Sequence, residues 1–212
     1  MEIAIIGAGN VGKALASSSV RAGHGVVLSA TDPEHAQAAA EATGARAAAS
    51  NAEAVRGADV VILAVPNTAV DEVVDELGDA LDGKVVVDAT NRLNPSDPSQ
   101  TLDGTSMAER VQGRRPAARV VKAFNTLMSS RMADPPVAGV QPDGYVAGDD
   151  GEAKAAVLQL VESLGFRPID AGPLALARTL EGMAVLNILL NMRNGWPWQG
   201  AFRLVGATGE GI

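Results

Sequence analysis

The sequence contains no cysteine and only two histidines, His24 and His35. The absence of cysteine excludes disulfide bonds, thiolate nucleophiles and metal sites built on sulfur ligands. Two histidines that stand apart in the sequence do not make a cluster of metal ligands, so we expect no metal site. A chain without disulfides suits a reducing compartment, and we expect the protein to be cytoplasmic.

Positive charge is scarce as well. The 212 residues carry a formal net charge of -8, which argues against the basic surface that nucleic acids and anionic membranes require. We therefore expect no nucleic-acid partner. Any phosphate group of a ligand has to be held by local groups of the chain.

Long hydrophobic runs are also lacking. The most apolar late stretch, residues 183–190, is too short to span a bilayer and has Glu181 and Asn191 beside it. The first predicted strand begins by residue 3 without a basic leader, so we expect neither a secretory signal nor a membrane partner. The length predicts one domain over residues 1–212, with a C-terminal helical segment over residues 173–212.

Three glycines follow the first apolar run. Residues 3–6 predict a buried strand, and Gly7, Gly9 and Gly12 follow it in G-x-G-x-x-G spacing. Gly7 allows a tight turn, Gly9 lets a pyrophosphate approach backbone N–H groups, and Gly12 lets the next helix pack closely on the strand. A purely structural turn could have the same spacing, but the strand before it and the helix after it favour a dinucleotide site.

The end of the second predicted strand, residues 25–28, decides between NAD and NADP in folds of this kind. Asp32 has the spacing of an acid that binds the ribose 2′-hydroxyl. Pro33 and Glu34 follow it, which is the pattern of a helix N-cap, and we favour the cap.

Three other side chains near this strand end are candidates for contacts to the cofactor. Ser29 and Thr31 can donate hydrogen bonds from their hydroxyl groups. His35 could approach a 2′-phosphate, or it could be a solvated side chain in the first turn of the helix. Both interpretations of His35 remain open.

The remaining apolar runs predict a Rossmann-type α/β fold, with a doubly wound, mostly parallel sheet. Pro66 ends the predicted central strand, residues 60–65, beside the crevice where such sheets bind ligands. Residues 91–105 have no hydrophobic period and are either a lid over this crevice or a surface excursion. Residues 174–194 predict one long helix that is apolar nearly all round and needs cover on more than one side.

Four segments resemble a known family of NADP oxidoreductases, the deazaflavin-dependent or coenzyme F420 reductases, whose best-known members pass hydride between NADPH and that coenzyme. The segments are residues 7–12, Asp-Ala-Thr-Asn at 88–91, Val-Lys-Ala-Phe-Asn-Thr at 121–126, and residues 170–181 with Asp-Ala-Gly-Pro-Leu and Ala-Arg-x-Leu-Glu. The first segment is common to many nucleotide-binding folds, whereas the last is far more specific. The resemblance spans essentially the whole chain and is to the less characterised bacterial branch.

The resemblance implies a Rossmann-type domain whose C-terminal helices close the substrate side and join two subunits into a homodimer. The residues that it places at the pyrophosphate are Gly7, Gly9, Asn10, Val11 and Gly12. It places the tip of the second strand at the adenosine ribose. Val65 and Pro66 would lie along the cofactor toward the nicotinamide, and the residues on the acceptor side would be Asn91, Asn125, Gly172, Pro173 and Leu174.

The chain departs from the family pattern at two places. The family usually has one more residue in the glycine loop, with a threonine before its second glycine. It also usually has Ser-Arg at the tip of the second strand, where this chain has Ala30 and Thr31. The first departure bears on the acceptor, and the second bears on the preference for a 2′-phosphate.

We therefore expect an oxidoreductase that transfers hydride between NADP(H), with NAD possible, and a second redox cofactor or small acceptor, with a deazaflavin favoured. The alternatives are an NAD(P)H-dependent reductase of a flavin, imine or ketone, and a redox sensor that binds NAD(P)(H) without turnover. Direct hydride transfer requires stacking and alignment more than a protein acid or base, so we predict no catalytic residue. Lys122, near Asn125, could polarise a carbonyl, but we favour a strand-end lysine near the surface.

Overall fold

Short, continuous apolar runs form an eight-stranded sheet at the centre of the molecule. The computed structural model describes residues 1–94, 97, 104–136 and 139–206. The strands are β1 (Glu2–Ile6), β2 (Gly25–Ser29), β3 (Arg46–Ala47), β4 (Val60–Leu63), β5 (Val85–Asp88), β6 (Arg119–Lys122), β7 (Asp143–Gly148) and β8 (Arg167–Gly172). Their order across the sheet is β3-β2-β1-β4-β5-β6-β7-β8, which confirms the predicted Rossmann-type, mostly parallel sheet.

Helices pack on both faces of this sheet. They are α1 (Asn10–Arg21), α2 (Pro33–Thr43), α3 (Asn51–Val55), α4 (Val70–Leu77), α5 (Met107–Arg114), α6 (Ser129–Ala133), α7 (Gly151–Ser163) and α8 (Ala177–Asn194). Because successive side chains of a strand point to opposite faces, Ile3 and Ile5 lie in one hydrophobic cluster and Ala4 and Ile6 in the other. Burial on both faces explains why the central strands are apolar without alternation.

The sheet continues past β6 in a way that the sequence did not predict. β7 pairs with β6 in the antiparallel direction, and β8 then pairs parallel to β7. The two added strands carry α7 and lead into α8, so they bring the C-terminal helix back to the sheet.

Polar side chains cap the starts of α2, α5 and α7. The Asp32 side chain accepts a hydrogen bond from the Glu34 N–H at 2.9 Å, which confirms the capping interpretation. Ser106 caps α5 in a capping box with Glu109, and Asp150 caps α7 by accepting from the Ala153 N–H at 2.8 Å.

The last helix is long and apolar, and three of its polar residues, Glu181, Asn187 and Asn191, are buried. By length and composition, Leu174–Asn194 could cross a membrane, a test that core helices of soluble proteins also pass. Glu181 and Asn187 are each only 5% exposed. Asn187 Nδ2 donates to the carbonyl oxygens of Thr126 and Gly200, at 3.2 and 3.1 Å. These contacts are those of a helix packed into a protein core.

The residues after α8 form an extended segment, residues 196–206, which we call the C-terminal strap. The strap is held at the start of β7, where the Asp143 N–H donates to the Phe202 carbonyl at 2.9 Å and the Leu204 N–H donates to Asp143 Oδ2 at 2.6 Å. Arg167 donates to Asp143 Oδ1 at 2.7 Å and to the Leu204 carbonyl at 2.7 Å. The strap thereby ties the end of the chain to the edge of the sheet.

Candidate functional site

The strand order reverses between β1 and β4, and this reversal opens a crevice at the carboxyl ends of the strands. Backbone hydrogen bonds hold the edges of the crevice together. The Gly7 N–H donates to the Ser29 carbonyl at 2.9 Å, and the Ala64 N–H donates to the Ile6 carbonyl at 2.9 Å.

The three glycines of the first loop have different spatial requirements. Gly7 has φ +115°, and a Cβ there would lie 2.5 Å from the Ala64 carbonyl oxygen. A Cβ on Gly12 would lie 1.8 Å from the Gly7 carbonyl oxygen. A Cβ on Gly9 would meet nothing within 4 Å, so the space over this residue is open. The loop therefore has the shape that a pyrophosphate needs above Gly9 and the N-terminus of α1.

Two adjoining cavities lie along the crevice. The first, which we call the loop cavity, has a volume of about 250 Å³ and is lined by the glycine loop, the tip of β2 and the end of β4. The second, which we call the strand-end cavity, has a volume of about 220 Å³ and lies between Val11 and the ends of β4 and β5. Ala64, Val65 and Pro66 line both cavities. Val65 and Pro66 thus lie at the middle of the crevice.

Thr31 lines the loop cavity, but the structure does not bring Ser29 there. Ser29 is fully buried, and its hydroxyl donates to Asn51 Oδ1 at 2.7 Å. Asn51 lines the cavity itself and was missed by sequence reasoning. The role of Ser29 in cofactor binding stays a prediction.

At the other end of the crevice, Asn91 and Asn125 form a pair of amides. Asn91 lines the strand-end cavity. Its Nδ2 donates to the Asn125 carbonyl at 3.1 Å, and Asn125 Nδ2 donates to Asn91 Oδ1 at 2.8 Å. Asn125 is 4% exposed, and its Oδ1 has no hydrogen-bond partner among the described residues. An unpaired buried acceptor is rare in proteins and often marks a functional site.

The residue before Asn125 has a strained backbone. Phe124 has φ +66°, a conformation that is unfavourable for a bulky side chain. Its ring is buried and contacts the Phe166 ring edge-on, with 6.5 Å between the centroids. This packing holds the turn after β6 in place, and with it the Asn125 side chain.

Lys122 is fully buried, so the prediction of a strand-end lysine near the surface is wrong. Its ammonium group donates to Asp88 Oδ2 at 2.8 Å, to the Thr90 carbonyl at 2.6 Å and to Glu181 Oε1 at 2.9 Å. All three of its N–H groups are therefore satisfied, which makes it a structural cation rather than a group free to polarise a carbonyl. Sequence reasoning missed it because Glu181 comes from α8, far along the chain.

The same buried network reaches the loop that lines the strand-end cavity. Glu181 accepts from the Met107 N–H at 2.8 Å and from Arg92 Nε at 3.3 Å. Asp88 accepts from the Thr90 N–H and hydroxyl, at 3.0 and 2.7 Å. Thr90 lines the cavity, so α8 is linked to the cavity wall by charged hydrogen bonds.

Another ion pair joins α8 to α5 at the surface. Arg178 donates to both oxygens of Glu109, at 2.8 and 2.6 Å. These bonds, together with those from Ser106, lower the pKa of Glu109 to about 2 despite the opposing effect of burial.

The predicted acceptor-side turn Gly172, Pro173 and Leu174 lies outside both cavities. Gly172 has φ +103°, and the Leu174 N–H donates to Asp149 Oδ1 at 2.9 Å. Leu174 is 3% exposed and packs in the core beneath α8. The assignment of these residues to the acceptor stays a prediction.

The crevice has little ionisable chemistry. No Asp, Glu, Lys, Arg or His side chain of the described residues lines the strand-end cavity. Within the described ranges, no group of three metal-ligating His, Asp or Glu side chains occurs. The predicted lid falls mostly on residues 95–96 and 98–103, which lie outside the described residues. The crevice can hold and align a dinucleotide, and its shape depends on backbone and amide groups.

Comparison with known proteins gives relatives across the whole chain. Residues 2–92 match the family described as NADP oxidoreductase, coenzyme F420-dependent. The F420-dependent NADP reductase of Methanothermobacter marburgensis is 34% identical over 92% of this chain and 94% of its own length. A crystallised Arthrobacter sp. FB24 protein, provisionally called an F420-dependent NADP reductase, has 30% identity and a TM-score of 0.87 over 97% of this chain and all of its own.

Rat metalloreductase STEAP3 is also similar, with 30% identity over 86% of this chain. This chain spans only 36% of the length of that protein. The reductase from M. marburgensis, in contrast, is matched nearly from end to end. Because identity and coverage are both high for this relative, the chain belongs to the family of coenzyme F420-dependent NADP oxidoreductases.

Proposed function

We propose that the protein is an NADP(H)-dependent oxidoreductase that transfers hydride between NADP(H) and a deazaflavin coenzyme of the F420 type. The observation that carries this proposal is the 34% identity to an F420-dependent NADP reductase over 94% of the length of that enzyme. The match also covers 92% of this chain. The small-molecule redox acceptor is the partner that this function requires.

The two cavities suggest how the cofactor lies. The proposed pyrophosphate site consists of Gly7, Gly9, Asn10, Val11 and Gly12, where the open space over Gly9 meets the N-terminus of α1. The adenosine ribose would lie in the loop cavity with Thr31 and, after rearrangement of its present hydrogen bond, Ser29. Val65 and Pro66 would contact the cofactor where the cavities meet, and the nicotinamide would reach the strand-end cavity.

The chain's own residues bind and align the reactants. A bound dihydronicotinamide supplies the hydride when an oxidised deazaflavin accepts it. Asn91 would contact a ligand in the strand-end cavity, and Asn125 holds the Asn91 amide in place. Apolar walls from Val11, Ala64 and Val65 exclude water from the space between the rings.

The acceptor side is proposed to include Asn125 and the turn Gly172, Pro173 and Leu174, which lies at the start of the C-terminal segment 173–212. We propose that this segment belongs to the same domain and closes the substrate side. No residue is proposed as a catalytic acid or base, since alignment is the main requirement for direct hydride transfer.

We further propose that the protein is a cytoplasmic homodimer that binds neither nucleic acid nor membrane. Several large apolar side chains of α8 and the strap are about half exposed in the single chain: Leu186, Met192, Trp196 and Trp198. Burial of such side chains against a second copy is a common means of forming a two-fold dimer. Sedimentation of the purified protein across concentrations tests this part of the proposal.

Steady-state oxidation of NADPH in the presence of candidate acceptors tests the proposed activity. The panel contains oxidised F420, FMN, a cyclic imine and a ketone, and the reaction is followed at the absorbance band of the reduced nicotinamide. We expect turnover to be fastest with F420. If turnover is fastest with another acceptor, that compound replaces the deazaflavin as the proposed acceptor. Tight NADPH binding without turnover of any acceptor would favour the redox-sensor alternative.

A further inference from the structure

The loop cavity contains a single side chain that can carry positive charge. Among the described residues that line it, His35 is the one histidine, and neither lysine nor arginine is present. Residues 95–96, 98–103, 137–138 and 207–212 contain no lysine, arginine or histidine in their sequence. A 2′-phosphate in this cavity would therefore meet His35 as its only cationic neighbour from the cavity wall.

The other polar groups at the tip of β2 have partners or carry the wrong charge. The Asp32 carboxylate accepts from the Glu34 N–H and would repel a phosphate. The Ser29 hydroxyl donates to Asn51 inside the protein. Thr31 lines the cavity and offers one neutral hydroxyl. Among the described side chains that line the cavity, His35 is thus the one able to attract a 2′-phosphate by charge.

We propose that His35 sets the preference of this protein for NADP(H) over NAD(H), and that this preference weakens as rising pH removes the imidazole proton. This inference rests on the proposed function, because it concerns the cofactor of the same site. Histidine changes charge between about pH 5 and 8. A protonated imidazole donates a charge-assisted hydrogen bond to phosphate, and a neutral one loses the attraction.

Few other charges face this imidazole. Of the residues that line the cavity with it, Asp32 is the only other titratable one. Glu34 precedes it on α2, while the glycine loop, the end of β4, α3 and α4 contribute no titratable side chain to the lining.

The experiment measures the dissociation constants of NADP and NAD, separately, between pH 6 and pH 8.5 at constant ionic strength. The ratio of the two constants removes any effect of pH on binding of the shared parts of the cofactors. We expect the preference for NADP to fall about twofold to fivefold over this range, because His35 is exposed and the loss of an exposed ionic hydrogen bond costs little. The same titration with 2′-AMP and adenosine isolates the phosphate end.

The phosphate itself titrates near pH 6, so a variant has to separate the two groups. In His35→Gln the preference for NADP over NAD should be weak, and its change with pH should reflect the protonation of the phosphate alone. In His35→Arg the preference for NADP should stay strong up to pH 8.5. His24→Gln is the matched control. His24 is the other histidine of the chain, and it bonds to Ser163 at 2.8 Å outside the cavity.

The results separate this inference from the proposed function. A pH-dependent preference that is retained in His24→Gln and lost in His35→Gln supports the role of His35. An equal pH dependence in wild type and His35→Gln overturns that role, even if both proteins reduce a deazaflavin. A protein that binds neither dinucleotide at any pH overturns the proposed function itself.

Discussion

The two ends of the crevice are supported by different kinds of residues. The loop cavity is lined by the glycine loop together with residues of α2, α3, α4 and the tip of β2, and the shape of the glycine loop depends on where a Cβ atom is missing. The strand-end cavity is backed by a buried network of Lys122, Asp88 and Glu181 whose members come from β6, β5 and α8. The glycine loop is built from residues that are neighbours in the sequence, whereas the ionic network is assembled from distant segments.

This difference has a physical consequence for stability. The glycine loop is disrupted when a Cβ atom is added at Gly7 or Gly12, because there is no room for it. A buried ionic network fails when an atom is removed, because the remaining charge has no partner and no water. The following variants test this contrast, beginning with the largest expected effect.

Lys122→Met should destabilise the fold most, by about 3–5 kcal/mol, because it leaves the buried Asp88 carboxylate without its cation and removes one of the two cations beside Glu181. Lys154→Met is the matched control, since Lys154 pairs with Asp170 at 3.0 Å and the Asp170 side chain is 50% exposed. The control should lose less than about 1 kcal/mol. Urea unfolding of both variants measures the difference, and equal losses would remove the contrast between buried and exposed pairs.

Gly12→Ala should destabilise the fold by about 3 kcal/mol, because its Cβ would lie 1.8 Å from the Gly7 carbonyl oxygen and α1 would have to move. Gly9→Ala adds the same methyl group to open space. It should lose less than about 1 kcal/mol of stability, from the weaker N-cap, but bind NADP less tightly. Thermal unfolding with and without NADP distinguishes them, and an unchanged affinity in Gly9→Ala would contradict the proposed pyrophosphate site.

Asp143→Asn should cost about 2 kcal/mol at pH 7, because Arg167 and the Leu204 N–H lose a charged acceptor. Burial alone would raise the pKa of Asp143, but bonds from Arg167, Leu204 and Tyr145 outweigh it and the pKa is lowered. The contribution is therefore complete above about pH 4 and is lost as the pH falls through the lower value of the folded state.

The two tryptophans of the chain, Trp196 and Trp198, lie on the C-terminal strap and report its release. In wild type, their fluorescence should change as the pH falls below about 4. In Asp143→Asn this acid transition should be absent or much smaller. A transition of equal size in both proteins would assign it to another carboxylate.

Ser106→Ala should have the smallest effect, about 1 kcal/mol, because it removes the N-cap of α5. It also removes one of the bonds that keep the pKa of Glu109 low. Ser17→Ala, inside α1, is the control and should be neutral within about 0.5 kcal/mol. A loss no greater than in the control would show that the cap does not stabilise α5.

The same contrast separates the features that the sequence predicts from those that it does not. The glycine loop and the cap at Asp32 depend on residues close together in the chain, and their local structure was predicted correctly. The burial of Lys122 was not, because it depends on a partner 59 residues away. Asn51 was missed as a cavity residue for the same reason, since Ser29 and Glu76 orient it from other elements.

The sheet shows this limit as well. Strands such as β1 and β4 follow from their apolar runs, and the Rossmann order was confirmed by the fold. The antiparallel pairing of β7 with β6 has no comparable signal, because the proline-containing segment before β7 does not indicate the direction in which the chain returns.

The left-handed backbone at Phe124 places a limit on how this protein can change over evolution. A glycine there would relieve the strain but lose the ring contact with Phe166, and with it the support of the turn that precedes Asn125. A β-branched residue would increase the strain and fill the space poorly. A single substitution at position 124 therefore either loses the ring contact or increases the backbone strain. We expect this position to tolerate few residues, and those to be large and flat.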